Sequence, residues 1–133
     1  MNIKANFFYK NLLSILSEAI AIIFLTLKGH IIIGWRKKSL KGDIDIVCAD
    51  GKEMIFVEVK ATTAEKQIFE LLRQKQLKLL KKRARSVMLD HLLFPEHGRL
   101  DIIVVQWKYF FPKVEWIKGL ETFPLFPVLR QNI

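Results

Sequence analysis

Two runs, Asp43 to Ala49 (DIDIVCA) and Met54 to Lys60 (MIFVEVK), are joined by a turn containing the dipeptide Asp50-Gly51. Together they restrict the fold more than any other part of the chain. Short stretches rich in Ile, Val and Phe on either side of an Asp-Gly turn read as an antiparallel β-hairpin. Asp43, Asp45, Glu58 and Lys60 lie inside these otherwise apolar strands. Charge in such a setting is costly unless it is paired, hydrogen-bonded or bound to a cation.

Strand side chains alternate, so Asp43, Asp45 and Val47 are expected on one face and Ile44, Ile46 and Cys48 on the other. On the return strand Phe56, Glu58 and Lys60 alternate with Ile55, Val57 and Val59. A four-residue loop, Asp50 to Glu53, sets Asp45 opposite Glu58 and Asp43 opposite Lys60. A loop of Asp50 and Gly51 alone sets Asp43 opposite Glu58. With either even loop length all four charges share a face. Like charges on facing residues, ~5 Å apart, repel by roughly 3 kcal/mol at an effective dielectric near 20. Two arrangements relieve this: an ion-pair ladder through Lys60, or a hard divalent cation such as Mg²⁺, which takes one or two carboxylates together with water and phosphate oxygens.

The remaining elements follow from local signals. Asn11 to His30 is a helix ending at Gly29, with Leu12, Leu16, Ala19, Ile20, Ile23 and Leu27 on one face. Ser14, Ser17, Glu18 and Ala21 lie on another face, whose small residues would let Glu18 approach the sheet. HIIIGW is a strand ahead of the hairpin. Thr62 and Glu65 have capping-box spacing at the start of a helix predicted from about Thr63 to near His91. RLDIIVVQW and KVEWI supply two further strands, and Pro112, Pro124 and Pro127 interrupt what is left. The 133 residues form a single α/β domain in the order α-β-β-β-α-β-β, a mixed sheet flanked by helices, with an irregular tail over about 124–133. Asp101 is expected to serve as a strand-end hydrogen-bonding residue, and Trp35, Trp107 and Trp116 as core residues.

A formal charge of +9 biases the chain toward polyanions. Arg36, Lys37, Lys38 and Lys41 precede the acidic strand, and seven Lys and Arg lie between Arg73 and Arg85, Lys78 among them. Such clusters suit phosphate contacts that set position without reading sequence. The lone Cys48 excludes a disulfide framework and fits a reducing, cytoplasmic setting. Glu18 and two serines interrupt the apolar run of the first helix, so stable membrane insertion is not expected.

Asp45, twelve residues, then Glu58-Val59-Lys60 resembles the D…(D/E)-x-K signature of the PD-(D/E)XK nuclease superfamily, whose restriction-endonuclease-like core shares this element order. More specifically, from Glu18 to Phe123 the chain is similar to the YraN family, bacterial proteins related to Holliday-junction resolvases. SEAIAIIFLTLKGH, KGDIDIVCADGKEMIFVEVK, KQLKLLKKRA, RLDIIVV and VEWIKGLETF occur in the family's order. The chain departs from the family at Asp43, where Glu is usual, and at Ala61-Thr62, where Thr-Arg is usual. Its segment from Lys60 to Lys75 is shorter and lacks the usual glycines.

The resemblance implies a Mg²⁺- or Mn²⁺-dependent nuclease acting on DNA, with branched or repair intermediates as substrates by analogy. It makes Asp45 and Glu58 metal ligands, the Val59 backbone carbonyl a third ligand and Lys60 the group that positions attacking water. Lys75 and Gln76 match the family's Lys-Gln pair, and Glu18 and Asp43 are additional candidates beside the metal. The competing readings are a non-catalytic nucleic-acid-binding protein on the same fold and a membrane-associated protein using Leu12 to Leu27. A homodimer is compatible with the sequence but not derivable from it.

Overall fold

The computed structural model describes residues 3–51, 53–63, 74–91, 97–108 and 111–123. The elements are α1 (Ile3–Leu27), β1 (Ile31–Lys37), β2 (Ile44–Asp50), β3 (Glu53–Thr62), α2 (Gln74–Asp90), β4 (His97–Lys108) and β5 (Phe111–Phe123). This is the expected α-β-β-β-α-β-β order. One sheet holds the strands in sequence order; β3 and β4 are parallel and every other pair is antiparallel. A parallel pair needs a crossover connection, and α2 lies within it. The expected tail at 124–133 and the helix start near Thr63 to Glu65 fall largely outside the described residues, while Thr62 itself closes β3.

The two faces of the sheet carry separate cores. Met54 and Phe56 pack with Leu80, Ala84, Val87 and Met88 of α2. Ile55 and Val57, of opposite parity, pack with Ala21 and Leu25 of α1. The helices therefore cover opposite faces. Buried on both sides, β3 and β4 show the near-continuous apolar runs expected of interior strands. Pro112 does not break the chain; it sits in β5, an edge strand, where its missing N–H costs no ladder bond on the open side.

α1 ends as predicted. Gly29 has φ +89°, its N–H donates to the Thr26 carbonyl at 3.0 Å, and the His30 N–H donates to the Leu25 carbonyl at 3.0 Å. This is the Schellman closure that a glycine permits.

The inward face of α1 is the reverse of the apolar stripe. Ser17, Glu18, Ala21 and Leu25 are buried, whereas Leu16 is 42% exposed, Ile23 60% and Leu27 81%. The stretch Tyr9–Leu27 is long and apolar enough to cross a membrane, and it is apolar on nearly every side. Periodicity therefore could not choose the face; small side chains and satisfied polar atoms chose it. Ser17 and Ala21 permit close approach to the sheet, and Trp107 Nε1 donates to Ser17 Oγ at 2.8 Å. Leu16→Gln is expected to change stability by no more than about 0.5 kcal/mol. Ala21→Leu should cost about 1–3 kcal/mol by overpacking. Urea denaturation of both variants tests the assignment, and a large loss in Leu16→Gln with none in Ala21→Leu would reverse it.

The hairpin register is the first of the two alternatives. Ile46 pairs with Val57, Cys48 with Ile55 and Asp50 with Glu53, and the pairing ends there, one residue short of Asp45. The turn itself is tighter than the four residues assumed, with Gly51 at φ +62°. The predicted alternation fails at the start of β2. Ile44 joins Val47 in the α2-side core while Ile46 and Cys48 face α1, so parity breaks at Asp45. Asp43 precedes the strand and is exposed, and the four charges do not form one ladder.

Candidate metal and phosphate site

At Asp45 the side chain substitutes for the ladder. Asp45 Oδ2 accepts the Val59 backbone N–H at 2.8 Å, tying the carboxylate to the residue between Glu58 and Lys60. Glu58 and Lys60, two residues apart on β3, both line the α2-side cleft, and Lys60 Nζ lies 3.7 Å from Glu58 Oε1. Glu58 Oε2 is buried with no hydrogen-bond partner.

Burial pushes the Asp45 carboxyl upward; the Val59 N–H opposes this, and the Glu18 charge adds to it. Burial, then the adjacent Asp45 charge, pushes Glu58 up to about 8 against the pull of Lys60. Burial therefore outweighs the nearby positive charges of Lys60 and Arg83 at Glu58. Two carboxylates placed close together resist simultaneous ionisation.

Glu18 projects from α1 toward this pair, as its small-residue face suggested, but its oxygens are taken. Arg36 donates through Nε to Oε1 at 3.3 Å and through Nη2 to Oε2 at 3.0 Å, and Trp35 Nε1 reaches Oε1 at 3.3 Å. Trp35 is consequently half-exposed on the edge strand rather than in the core, with the Arg36 guanidinium 5.4 Å from its ring centroid. Arg36 adopts φ +53°, an uncommon conformation for a side-chain-bearing residue. Trp107 and Trp116 pack against the α1-side core as expected. Among the described residues no three His, Cys, Asp or Glu side chains converge as a metal-ligating group.

The cleft between the sheet and α2 has a volume of about 190 Å³ and is lined by Glu58, Lys60 and Ile102 of the sheet and by Gln76, Leu77, Leu79, Leu80 and Arg83 of α2. Gln76 is thus brought to Glu58 and Lys60. The Lys75 side chain and the whole of Arg73 lie outside the described residues. Lys38, Lys41 and Lys78 are exposed and Lys37 half-buried, none of them lining the cleft. The segment carrying Lys38 and Lys41 docks on the end of α2: the Leu40 N–H donates to Asp90 Oδ2 at 3.2 Å, and His91 Nε2 lies 3.1 Å from the Lys38 carbonyl.

Arg83 is the cleft residue that sequence reasoning missed. The signal was present, because the stripe Gln76, Leu80 continues by helical spacing to Arg83 and Val87, which places an arginine on a buried line.

The profile of the uncharacterised protein family UPF0102 matches residues 17–105, which include Glu18, the hairpin, α2 and most of β4. A UPF0102 protein of Ehrlichia chaffeensis is 34% identical over 93 residues, covering 69% of this chain and 75% of that protein. One from Thermotoga petrophila is 35% identical over 77 residues, 58% of this chain and 71% of the relative. One from Rhizobium etli is 45% identical over 51 residues, 38% and 42% of the two chains. With two thirds of its length matched, and with the motifs of the YraN proteins, another name for the same family, the chain belongs to the uncharacterised protein family UPF0102.

Proposed function

We propose that the protein is a Mg²⁺-dependent phosphodiesterase acting on DNA, on a restriction-endonuclease-like variant of its α/β fold. The observation that carries this reading is the buried, partnerless Glu58 Oε2 beside Asp45, in a cleft edged by Lys60. Ionised, that oxygen has no donor, so burial and the Asp45 charge hold a proton on Glu58 up to about pH 8, and a divalent cation can take that proton's place between the two carboxylates. Asp45 and Glu58 would hold the ion. Two carboxylates are a donor set that Mg²⁺ accepts, with water completing its shell, and Mn²⁺ suits the same oxygen ligands.

The bound ion would lower the pKa of a coordinated water and polarise the scissile phosphate. The chain's own residues do the positioning. The Val59 N–H fixes the orientation of Asp45. Lys60, 35% exposed, holds its ammonium at the cleft mouth, where it orients a water and stabilises negative charge on phosphate. Lys38, Lys41 and Lys78 supply sequence-independent attraction to the nucleic-acid backbone. A cytoplasmic setting suits the buried free Cys48.

The test is strand cleavage of branched and duplex DNA with Mg²⁺ or Mn²⁺ by wild type, Glu58→Ala and Lys60→Ala. Cleavage by wild type, reduced at least a hundredfold in both variants, is the expected result. Full activity in both variants would refute the reading. The second reading, a non-catalytic nucleic-acid binder, is favoured by the occupation of Glu18 by Arg36 and Trp35. It requires salt-dependent DNA binding that Glu58→Ala leaves unchanged, with no cation-dependent cut by wild type.

A further inference from the structure

We propose that Arg83 of α2 is a phosphate-binding residue, forming with Lys60 and Gln76 a seat for one phosphodiester group of the nucleic-acid backbone. The inference rests on the reading of this cleft as a phosphodiester site.

Three observations converge on Arg83. Its Nε is buried and has no hydrogen-bond partner. Leaving such a donor unmet is costly, the more so in a charged group. The side chain lines the same cleft as Lys60 and Gln76, and its charge acts on Glu58 there.

The fold also makes room for it. A Cβ at Gly42 would lie 2.5 Å from Arg83 Nε and 3.0 Å from its Cδ, so a side chain at this position would push the arginine away from where it lies against the loop. Gly42 is itself held at φ +121° by the turn in which Ser39 Oγ donates to the Gly42 carbonyl at 2.6 Å and the Gly42 N–H donates to the Ser39 carbonyl at 3.2 Å. Loop and helix thus hold an arginine that lines the cleft beside Glu58 and Lys60.

The ligand class follows from chemistry and size. A guanidinium presents N–H groups in a fork that matches two oxygens of a phosphate, and a lysine ammonium adds a point charge. The cleft, at about 190 Å³, is smaller than the ~300–1,000 Å³ of sites that enclose drug-sized ligands. It accommodates a phosphate group and its ester linkages, not a base pair. A contact of this kind sets the register of the strand without reading bases.

The experiment measures binding of a short DNA duplex to the full chain by fluorescence anisotropy across a salt series, with Mg²⁺ binding followed by calorimetry and folding by thermal melts. Arg83→Gln is expected to weaken DNA binding about tenfold and to reduce the magnitude of the log K against log salt slope by about 0.9, one phosphate contact. Its Mg²⁺ affinity should not fall, because the substitution removes a positive charge from beside Glu58 and no ligand of the ion. Arg83→Lys should restore the slope but only part of the affinity. A folded Arg83→Gln with wild-type affinity and slope overturns the assignment. If that variant does not fold, Arg83→Lys with wild-type affinity overturns it equally, because a lysine cannot reproduce the forked contact. Loss of the slope increment in a protein that binds no Mg²⁺ would leave the phosphate seat standing and remove the metal reading. Normal Mg²⁺ binding and cleavage in folded Arg83→Gln with an unchanged slope would do the reverse.

Discussion

Asp101→Ala is expected to lower the unfolding free energy by about 3–5 kcal/mol, the range seen when one partner of a buried charge pair is removed. Asp101 is 1% exposed and its two oxygens satisfy four donors. Oδ1 accepts Arg99 Nε at 2.8 Å and the Gly119 N–H at 2.8 Å; Oδ2 accepts Arg99 Nη2 at 2.9 Å and Trp116 Nε1 at 2.9 Å. The residue sits where the β4–β5 register shifts between Leu100 and Ile102, and Gly119 faces it at φ +65°. The carboxylate thus fastens an irregularity that backbone pairing leaves open. Alanine would strand the indole and the Gly119 amide and leave Arg99 with only Glu53, 2.7 Å away. Since a domain of this size has about 5–15 kcal/mol in total, urea denaturation at neutral pH should detect the variant near the limit of folding. A loss below about 1 kcal/mol would show that Asp101 is not the clasp.

Glu58→Gln is expected to stabilise the metal-free protein at pH 8 and above, and to abolish its stabilisation by Mg²⁺. The sign follows from the raised pKa. Folded Glu58 titrates near 8, against an ordinary value of 4.5, so the native state retains a proton that the unfolded chain has released. Stability is then complete below pH ~4.5, declines as pH rises and levels off above about 8. The difference between Gln and Glu should amount to a few kcal/mol at pH 8 and vanish near pH 4. Saturating Mg²⁺ narrows the gap, because an ion that binds only the folded wild type at a hundred times its Kd contributes about 2.7 kcal/mol to it and nothing to the variant. Thermal melts at pH 5 and 8, with and without Mg²⁺, separate these effects. Parallel pH profiles of wild type and Glu58→Gln would mean that the Glu58 carboxyl is not raised. An equal Mg²⁺ shift in both proteins would mean that Glu58 does not hold the ion.

Much of the architecture was legible from local chemistry. The β-branched runs, the Asp50-Gly51 turn and the helix stop at Gly29 yielded the element order, and the even loop length narrowed the register to two choices. Asp45, Glu58 and Lys60 were singled out because charge inside an apolar strand is conspicuous, and two of them do line the cleft, with Asp45 bonded to the residue between them. Other features left no local mark. The break in alternation at Asp45 is enforced by packing from both sides of β2. The capture of Glu18 by Trp35 and Arg36 joins residues 17 and 18 positions apart, and the Asp101 clasp reaches 15 and 18 positions to Trp116 and Gly119.

By itself the sequence determined which segments become helix and strand, where the chain turns and which side chains carry unusual charge, because these depend on residues within a few positions of one another. Only the tertiary structure decided which face of α1 is buried, that Arg83 lies on Gly42 beside Lys60, and that Glu58 keeps an oxygen without a partner. Burial, close approach and the matching of donors to acceptors are set by groups far apart along the chain, and they exist only once the sheet has brought those groups together.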